Sequence, residues 1–222
     1  MIKLIIYDLD GTLIESAKDI STSVNFMLEQ LGLKRVPEEQ IRVNVGSGLV
    51  HLIRNILNDA AAGATVDGIL DRALDLYKTH HSEHLLDQTK LYPGVKTAVE
   101  FFRDKKQAVI TNKNEEFSRQ ILKGLGISKY FFDVIGGDQQ YPKKPAPDSV
   151  LKLMELVRVK PDETVLIGDS AIDIQTARNA KIKSIAVTYG FGSRAEIESS
   201  KPDKVVNQLD EMINLDLMKL SM

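Results

Sequence analysis

Residues 5–14 read IIYDLDGTLI, so Asp8 and Asp10 stand at the end of an apolar run with Leu9 between them. Side chains two apart on an extended chain share a side. Both carboxylates therefore face one crevice while Leu9 points away. Like charges at that spacing repel, and a core strand does not shelter an unpaired acid. A divalent cation resolves the conflict, since Mg²⁺ takes one or two carboxylates and completes its shell with waters and phosphate oxygens. Gly11 permits a sharp backbone turn, and Thr12 supplies a hydroxyl or caps the next element. A plain Asp-Gly turn capped by Asp8 is the competing reading, but it leaves an acid at a core edge without a reason.

The elements that hold these residues are visible in the apolar pattern. Short continuous apolar runs occur at 2–7, 107–111, 132–137, 164–169, 184–188 and 203–206. Continuity rather than alternation is expected of parallel strands buried on both faces. Helical patterns fall between most of them. EEFSRQILKGLG carries Phe117, Ile121, Leu122 and Leu125 at helical spacing and stops at Gly126; PDSVLKLMELVRV and IDIQTARNAKI come after it. Strand alternating with helix predicts a doubly wound α/β parallel sheet, a Rossmann-like core. The first interval breaks the rhythm. No convincing strand occurs from Leu13 to Leu91, and helical patterns at 16–31, 38–45, 48–61 and 65–88 replace it. One crossover needs a single helix, so residues 16–90 are expected to form an inserted all-helical cap, with 1–15 and 91–222 as the core and LYPGV at 91–95 as the return hinge. QLDEMINLDLMKLSM at the end reads as an amphipathic helix.

Composition narrows the function classes. The 222 residues suffice for a sizeable core. A net charge of −2 disfavours nucleic-acid binding by bulk charge. Without cysteine there is no disulfide framework, thiolate zinc site or cysteine nucleophile. MIKLIIYDLD has no signal-peptide h-region, and no apolar stretch is long enough to span a bilayer. The expectation is a cytoplasmic protein with no membrane or nucleic-acid partner.

DLDGT after an apolar strand resembles the first motif of the haloacid dehalogenase superfamily of phosphotransferases, and the remaining motifs occur in order at predicted strand ends. Thr111 and Asn112 of TNK resemble the second; alone the tripeptide also suits an ordinary strand-to-helix turn. Lys144, in PKKPAPD, resembles the third-motif lysine, whereas Lys143 reads as a solvated loop residue. Asp169 and Asp173 of GDSAIDI resemble the fourth, with Ser170 free to cap the helix they begin. The resemblance covers nearly the whole chain, and 16–90 stands in the position of a type-one helical cap.

That resemblance implies a chemistry. Asp8 attacks phosphorus to give an aspartyl-phosphate, and Asp10 protonates the leaving oxygen and then deprotonates the attacking water. Asp8, the backbone carbonyl of Asp10, and Asp169 hold Mg²⁺, with Asp173 holding a metal-bound water or Lys144. Thr111, Asn112 and Lys144 spread the charge of the transferring phosphoryl. An acid at Asp10 favours phosphate esters over C–halogen or C–P bonds.

The cap is expected to close over the site and admit a small phosphorylated metabolite. In IRVNVGSGL, Gly46, Ser47 and Gly48 are placed to start a helix and offer amides to an anion, with Arg42 nearby; a plain helix–helix turn is the alternative. Gly11 and Thr12 complete the expected substrate contacts. His80, His81 and His84 offer i, i+4 spacing for zinc, but no third ligand is evident, and the set reads as a solvated helix face. VGSG, TNK and the YGFG at 189–192 look most like the phosphoglycolate phosphatase group. Pyrophosphatases of this cap type share those features. A β-phosphoglucomutase is similar in architecture but usually has Ser/Ala where this chain has Asn112-Lys113. Glu15 departs from the group, which often has Asp there, and lies near the first hinge. A non-catalytic phosphate-ligand sensor would need one of the acids to be missing. Monomer and homodimer are both compatible with the sequence.

Overall fold

A computed structural model describes residues 1–60 and 66–215. Strand β1 (Leu4–Tyr7) leads into a short strand β2 (Ile14–Glu15). Helices α1 (Ala17–Gln30), α2 (Glu38–Arg42), α3 (Leu49–Ala60) and α4 (Leu70–Glu83) come next, and β3 (Lys90–Leu91) returns the chain. Strand and helix then alternate through α5 (Val95–Phe101), β4 (Lys106–Ile110), α6 (Glu115–Gly124), β5 (Asp133–Ile135) and α7 (Asp148–Val157). The alternation continues through β6 (Thr164–Gly168), α8 (Ala171–Asn179), β7 (Lys183–Val187), α9 (Arg194–Ser200) and β8 (Lys204–Val206).

The main sheet has the order β5-β4-β1-β6-β7-β8 and every pair in it is parallel, as predicted. From β1 the chain builds outward through β4 and β5, then crosses to the other side for β6. The order reverses at β1, and ligands of such sheets bind at the carboxyl ends of the strands beside that switch point. Asp8, Thr111 and Asp169 each directly follow one of the three strands that meet there. The unbroken apolar run of β1 has a direct cause. Ile5 and Tyr7 join the cluster containing Val99 and Ile121, while Leu4 and Ile6 join the one containing Val150 and Ala177. Helices α5 and α6 thus cover one face and α7 and α8 the other.

Helices α1 to α4 build their own apolar cluster, which includes Val24, Met27, Leu28, Ile53, Ile56 and Tyr77. Several expectations change here. Two strands lie where none is visible in the sequence: Ile14 pairs with Leu91 and Glu15 with Lys90, antiparallel. Two-residue strands are too short to show a period. The helix expected at 38–45 stops at Arg42, and Gly46 and Gly48 then take positive φ angles of 110° and 93°. The helix expected from 65 begins at Leu70, after a 3₁₀ turn at Val66–Gly68. The expected C-terminal amphipathic helix is a 3₁₀ helix at Leu209–Asn214, whose Leu209 and Met212 pack into the sheet cluster; its continuation lies outside the described residues.

Candidate active site

The turn after β1 sets the site. Asp8 extends the ladder, donating from its N–H to the Ile167 carbonyl at 2.9 Å, and the Leu9 N–H donates to Asp8 Oδ1 at 2.7 Å. Leu9 is fully buried, which leaves Asp8 and Asp10 on the opposite side. Gly11, at φ 85°, is required by close approach, because a Cβ there would overlap the Asp169 carboxylate.

Three buried carboxylates gather beside this turn: oxygens of Asp8, Asp169 and Asp173 lie within 4.8 Å of one another. Lys144 Nζ sits among them, 2.8 Å from Asp8 Oδ1 and 2.6 Å from Asp173 Oδ1. Burial works against this ammonium, yet Asp173 and Asp8 together hold its pKa above the usual lysine range. Asp173 Oδ2 accepts from the Ser170 hydroxyl at 2.6 Å and the Ser170 N–H at 3.2 Å, which also caps α8. Asp169 Oδ2 accepts from the Phe191 N–H at 2.7 Å and its Oδ1 from the Thr12 hydroxyl at 2.9 Å.

One cation does not balance three acids. Burial pushes the Asp8 carboxyl well above its ordinary range; Lys144 opposes this, and Asp173 and Asp169 add to it. Burial, then Asp173, raises Asp169 to about 6, against the donors at Phe191, Thr12 and Gly192. A cluster of hard oxygen donors whose ionised form is disfavoured is what a divalent cation stabilises. The residues fit such an ion.

Asp10 stands apart from that cluster. Its Oδ1 accepts from the Ser16 hydroxyl at 2.5 Å and from Lys113 Nζ at 3.2 Å. The group of three carboxylates does not include Asp10, although Asp10 lines the same cavities as Asp8. Lys113, absent from the residues expected to act, is the tertiary partner of Asp10; the TNK tripeptide was its only local sign.

Other expected contacts are redirected. Thr12 is fully buried, and its hydroxyl is spent on Asp169 rather than offered to a ligand. The Asn112 side chain donates to the carbonyls of Gly46 at 2.9 Å and Lys144 at 3.1 Å and accepts from the Lys144 N–H at 3.0 Å. It clamps two loops, because their buried backbone groups need partners. Thr111 is buried, and its Oγ1 accepts from the Lys113 N–H at 3.2 Å. Arg42 Nη2 donates to the Gly190 carbonyl at 2.9 Å, and its guanidinium lies 4.8 Å over the Phe191 ring. Its Nη1 is 3.6 Å from Glu15 Oε2, which accepts from the Tyr92 hydroxyl at 2.7 Å. Glu15 thus joins the return of the chain to the helical layer.

Two cavities open onto Asp8 and Asp10. One, of about 110 Å³, is lined by Arg42, Gly46, Ser47 and Asp169. The other, of about 60 Å³, is lined by Thr111, Asn112 and Lys113 from the sheet side and by Leu52, Tyr77 and His81 from the helices. Of the three histidines, His81 leaves the solvated face, while His80 and His84 stay partly exposed. His81 is 1% exposed, and its Nδ1 lies 3.1 Å from Ser23 Oγ. His80 stacks on Phe26 and on His84, and His84 Nδ1 meets Asp87 at 2.7 Å.

Comparison with known proteins agrees with this geometry. The family model described as haloacid dehalogenase-like hydrolase matches residues 5–187. A phosphoglycolate phosphatase of Vibrio parahaemolyticus is 36% identical over 96% of this chain and 96% of its own length. One from Chromobacterium violaceum is 33% identical over 98% and 97%. The crystal structure of a predicted phosphoglycolate phosphatase from Haemophilus somnus 129pt superposes with a TM-score of 0.92 at 28% identity, covering 96% of this chain and 97% of that one.

Proposed function

The chain belongs to the haloacid dehalogenase-like hydrolases, and on that premise we propose that it is a Mg²⁺-dependent phosphatase that hydrolyses 2-phosphoglycolate through an aspartyl-phosphate on Asp8. The observation that carries this reading is the placement of two acids with separate partners in one crevice: Asp8 on Lys144 at 2.8 Å, Asp10 on Lys113 at 3.2 Å. The substrate rests on the relatives named above.

A carboxylate oxygen of Asp8 attacks phosphorus as the bond from phosphorus to the leaving oxygen breaks, and Asp10 gives that oxygen its proton. Asp10 then takes a proton from water as the water oxygen attacks the phosphoryl group, and the bond to Asp8 breaks to release inorganic phosphate. Such proton transfers contribute about 10²–10⁴-fold. Lys144 favours the ionised form of Asp8 against its burial and faces the incoming charge. Asp8, the main chain of Asp10, and Asp169 would hold Mg²⁺, which would supply positive charge to the transferring phosphoryl group. Residues 16–90 act as the cap over a core of 1–15 and 91–222, and Asn112, bonded to Gly46, ties the two. The enzyme is read as cytoplasmic, a monomer or homodimer, with a small phosphorylated metabolite as its partner.

Phosphate release in Mg²⁺ across 2-phosphoglycolate, pyrophosphate, sugar phosphates, nucleoside monophosphates and p-nitrophenyl phosphate tests the reading. A strong preference for 2-phosphoglycolate, abolished in Asp8→Asn, is expected. Retained turnover in Asp8→Asn sinks the nucleophile, and production of an isomer without free phosphate makes the protein a mutase.

A further inference from the structure

We infer that Arg42 is a positioning residue for the metal site: through a single peptide group it fixes the Asp169 carboxylate, so the seating of helix α2 sets how tightly Mg²⁺ is held. The inference rests on the reading that Asp169 helps to hold that ion. The peptide is the one joining Gly190 to Phe191. Its carbonyl accepts from Arg42 Nη2 at 2.9 Å, and its N–H donates to Asp169 Oδ2 at 2.7 Å. A peptide unit is planar, so its two ends cannot turn independently. Whatever aims the carbonyl also aims the N–H. Accepting from a cation also polarises the unit and strengthens its N–H as a donor.

The guanidinium is itself held. It lies 4.8 Å over the Phe191 ring, and its Nη1 is 3.6 Å from Glu15 Oε2, which the Tyr92 hydroxyl bonds at 2.7 Å. The peptide lies directly on its target, since a Cβ at Gly190 would overlap both the Asp169 side chain and the Gly11 carbonyl. The other oxygen of Asp169 answers to the same segment. The Tyr189 hydroxyl donates to the Thr12 carbonyl at 2.7 Å, and the Thr12 hydroxyl donates to Asp169 Oδ1 at 2.9 Å. Tyr189 packs on Tyr92 with ring centroids 4.5 Å apart, which returns the contacts to Glu15 and Arg42. Charge alone predicts the opposite effect. Arg42 is a cation lining a cavity with Asp8 and Asp169, so by Coulomb repulsion its removal would tighten Mg²⁺ binding. Orientation through the peptide predicts that its removal loosens it, and the sign separates the two.

The test is calorimetric titration of Mg²⁺ into the full chain at neutral pH without substrate, which keeps any contact between Arg42 and substrate out of the readout. Groups that orient a metal-binding carboxylate change affinity by about 10–100-fold when removed, and Arg42 stands one peptide further out. In Arg42→Met, which keeps the stem and removes the donors, the Mg²⁺ Kd is therefore expected to rise about three- to tenfold. Arg42→Lys restores the charge and a donor for the carbonyl and recovers part of the loss. Phe191→Leu removes the ring beneath the guanidinium and keeps the peptide; it raises Kd by a smaller factor and serves if Arg42→Met fails to fold. An unchanged or lower Kd in Arg42→Met, or in Phe191→Leu where that variant stands in, overturns the proposal. So does a Kd in Arg42→Lys as high as in Arg42→Met. Wild-type protein that takes up no Mg²⁺ overturns the metal reading itself, and is recognised before any variant is made.

Discussion

Lys113 Nζ lies 3.2 Å from Asp10 Oδ1, an ion pair between residues 103 positions apart whose side chains are each only 9% exposed. The pair and the Ser16 hydroxyl fix the Asp10 carboxylate at the cavity that Asp8 also lines. A proton carrier must meet the leaving oxygen and then the attacking water from one position, so its orientation is part of its chemistry.

Lys113→Met keeps the bulk and removes the charge and the donor. It is expected to lower kcat by about 10²-fold with little change in KM, since a misplaced catalytic group costs rate rather than binding. Stopped-time phosphate release with 2-phosphoglycolate measures it. A variant with wild-type kcat removes Lys113 from the mechanism.

Lys144 is shared between Asp8 and Asp173, with both contacts under 3 Å and all three groups buried. Removing one partner of a buried pair leaves uncompensated charge and costs about 3–5 kcal/mol. Lys144→Met is therefore expected to unfold at markedly lower urea concentration with an unchanged m value. The deficit shrinks as pH falls, because the abandoned carboxyls take up protons. An Lys144→Met protein as stable as wild type at neutral pH contradicts this account of the cluster.

Asp169 links metal binding to pH. In metal-free protein its folded pKa is about 6 against an ordinary 3.8. The folded state then binds more protons than the unfolded one between those values, so this residue adds stability as pH falls through that window and withdraws it as pH rises. Mg²⁺ reverses the preference by favouring the ionised form. The rise in Tm on adding Mg²⁺ is expected to be larger near pH 7.5 than near pH 5, and nearly absent at both in Asp169→Asn. Equal shifts at the two pH values would show that Mg²⁺ does not act through this carboxylate.

The sequence alone determined the parallel α/β sheet and the residue types at its strand ends. Strands buried on both faces must be apolar throughout, which sets β1, β4, β6 and β7 apart from their loops, and Asp8, Thr111 and Asp169 follow such runs directly. Local chemistry also marked Gly11, whose turn no larger residue could make against Asp169. The sequence could not show which polar group each of these meets. Thr12 answers to Asp169 across 157 residues, Asn112 to Gly46 across 66, and Lys113 to Asp10 across 103. Such pairings have no period and no local signature. His81 is the sharpest case. An i, i+4 repeat with Tyr77 places it on one face of α4, and the same spacing serves a wet surface or the roof of a cavity. Only the packing of α4 over the carboxyl ends of the strands decided between them, because burial belongs to the surface a helix covers and not to the helix itself.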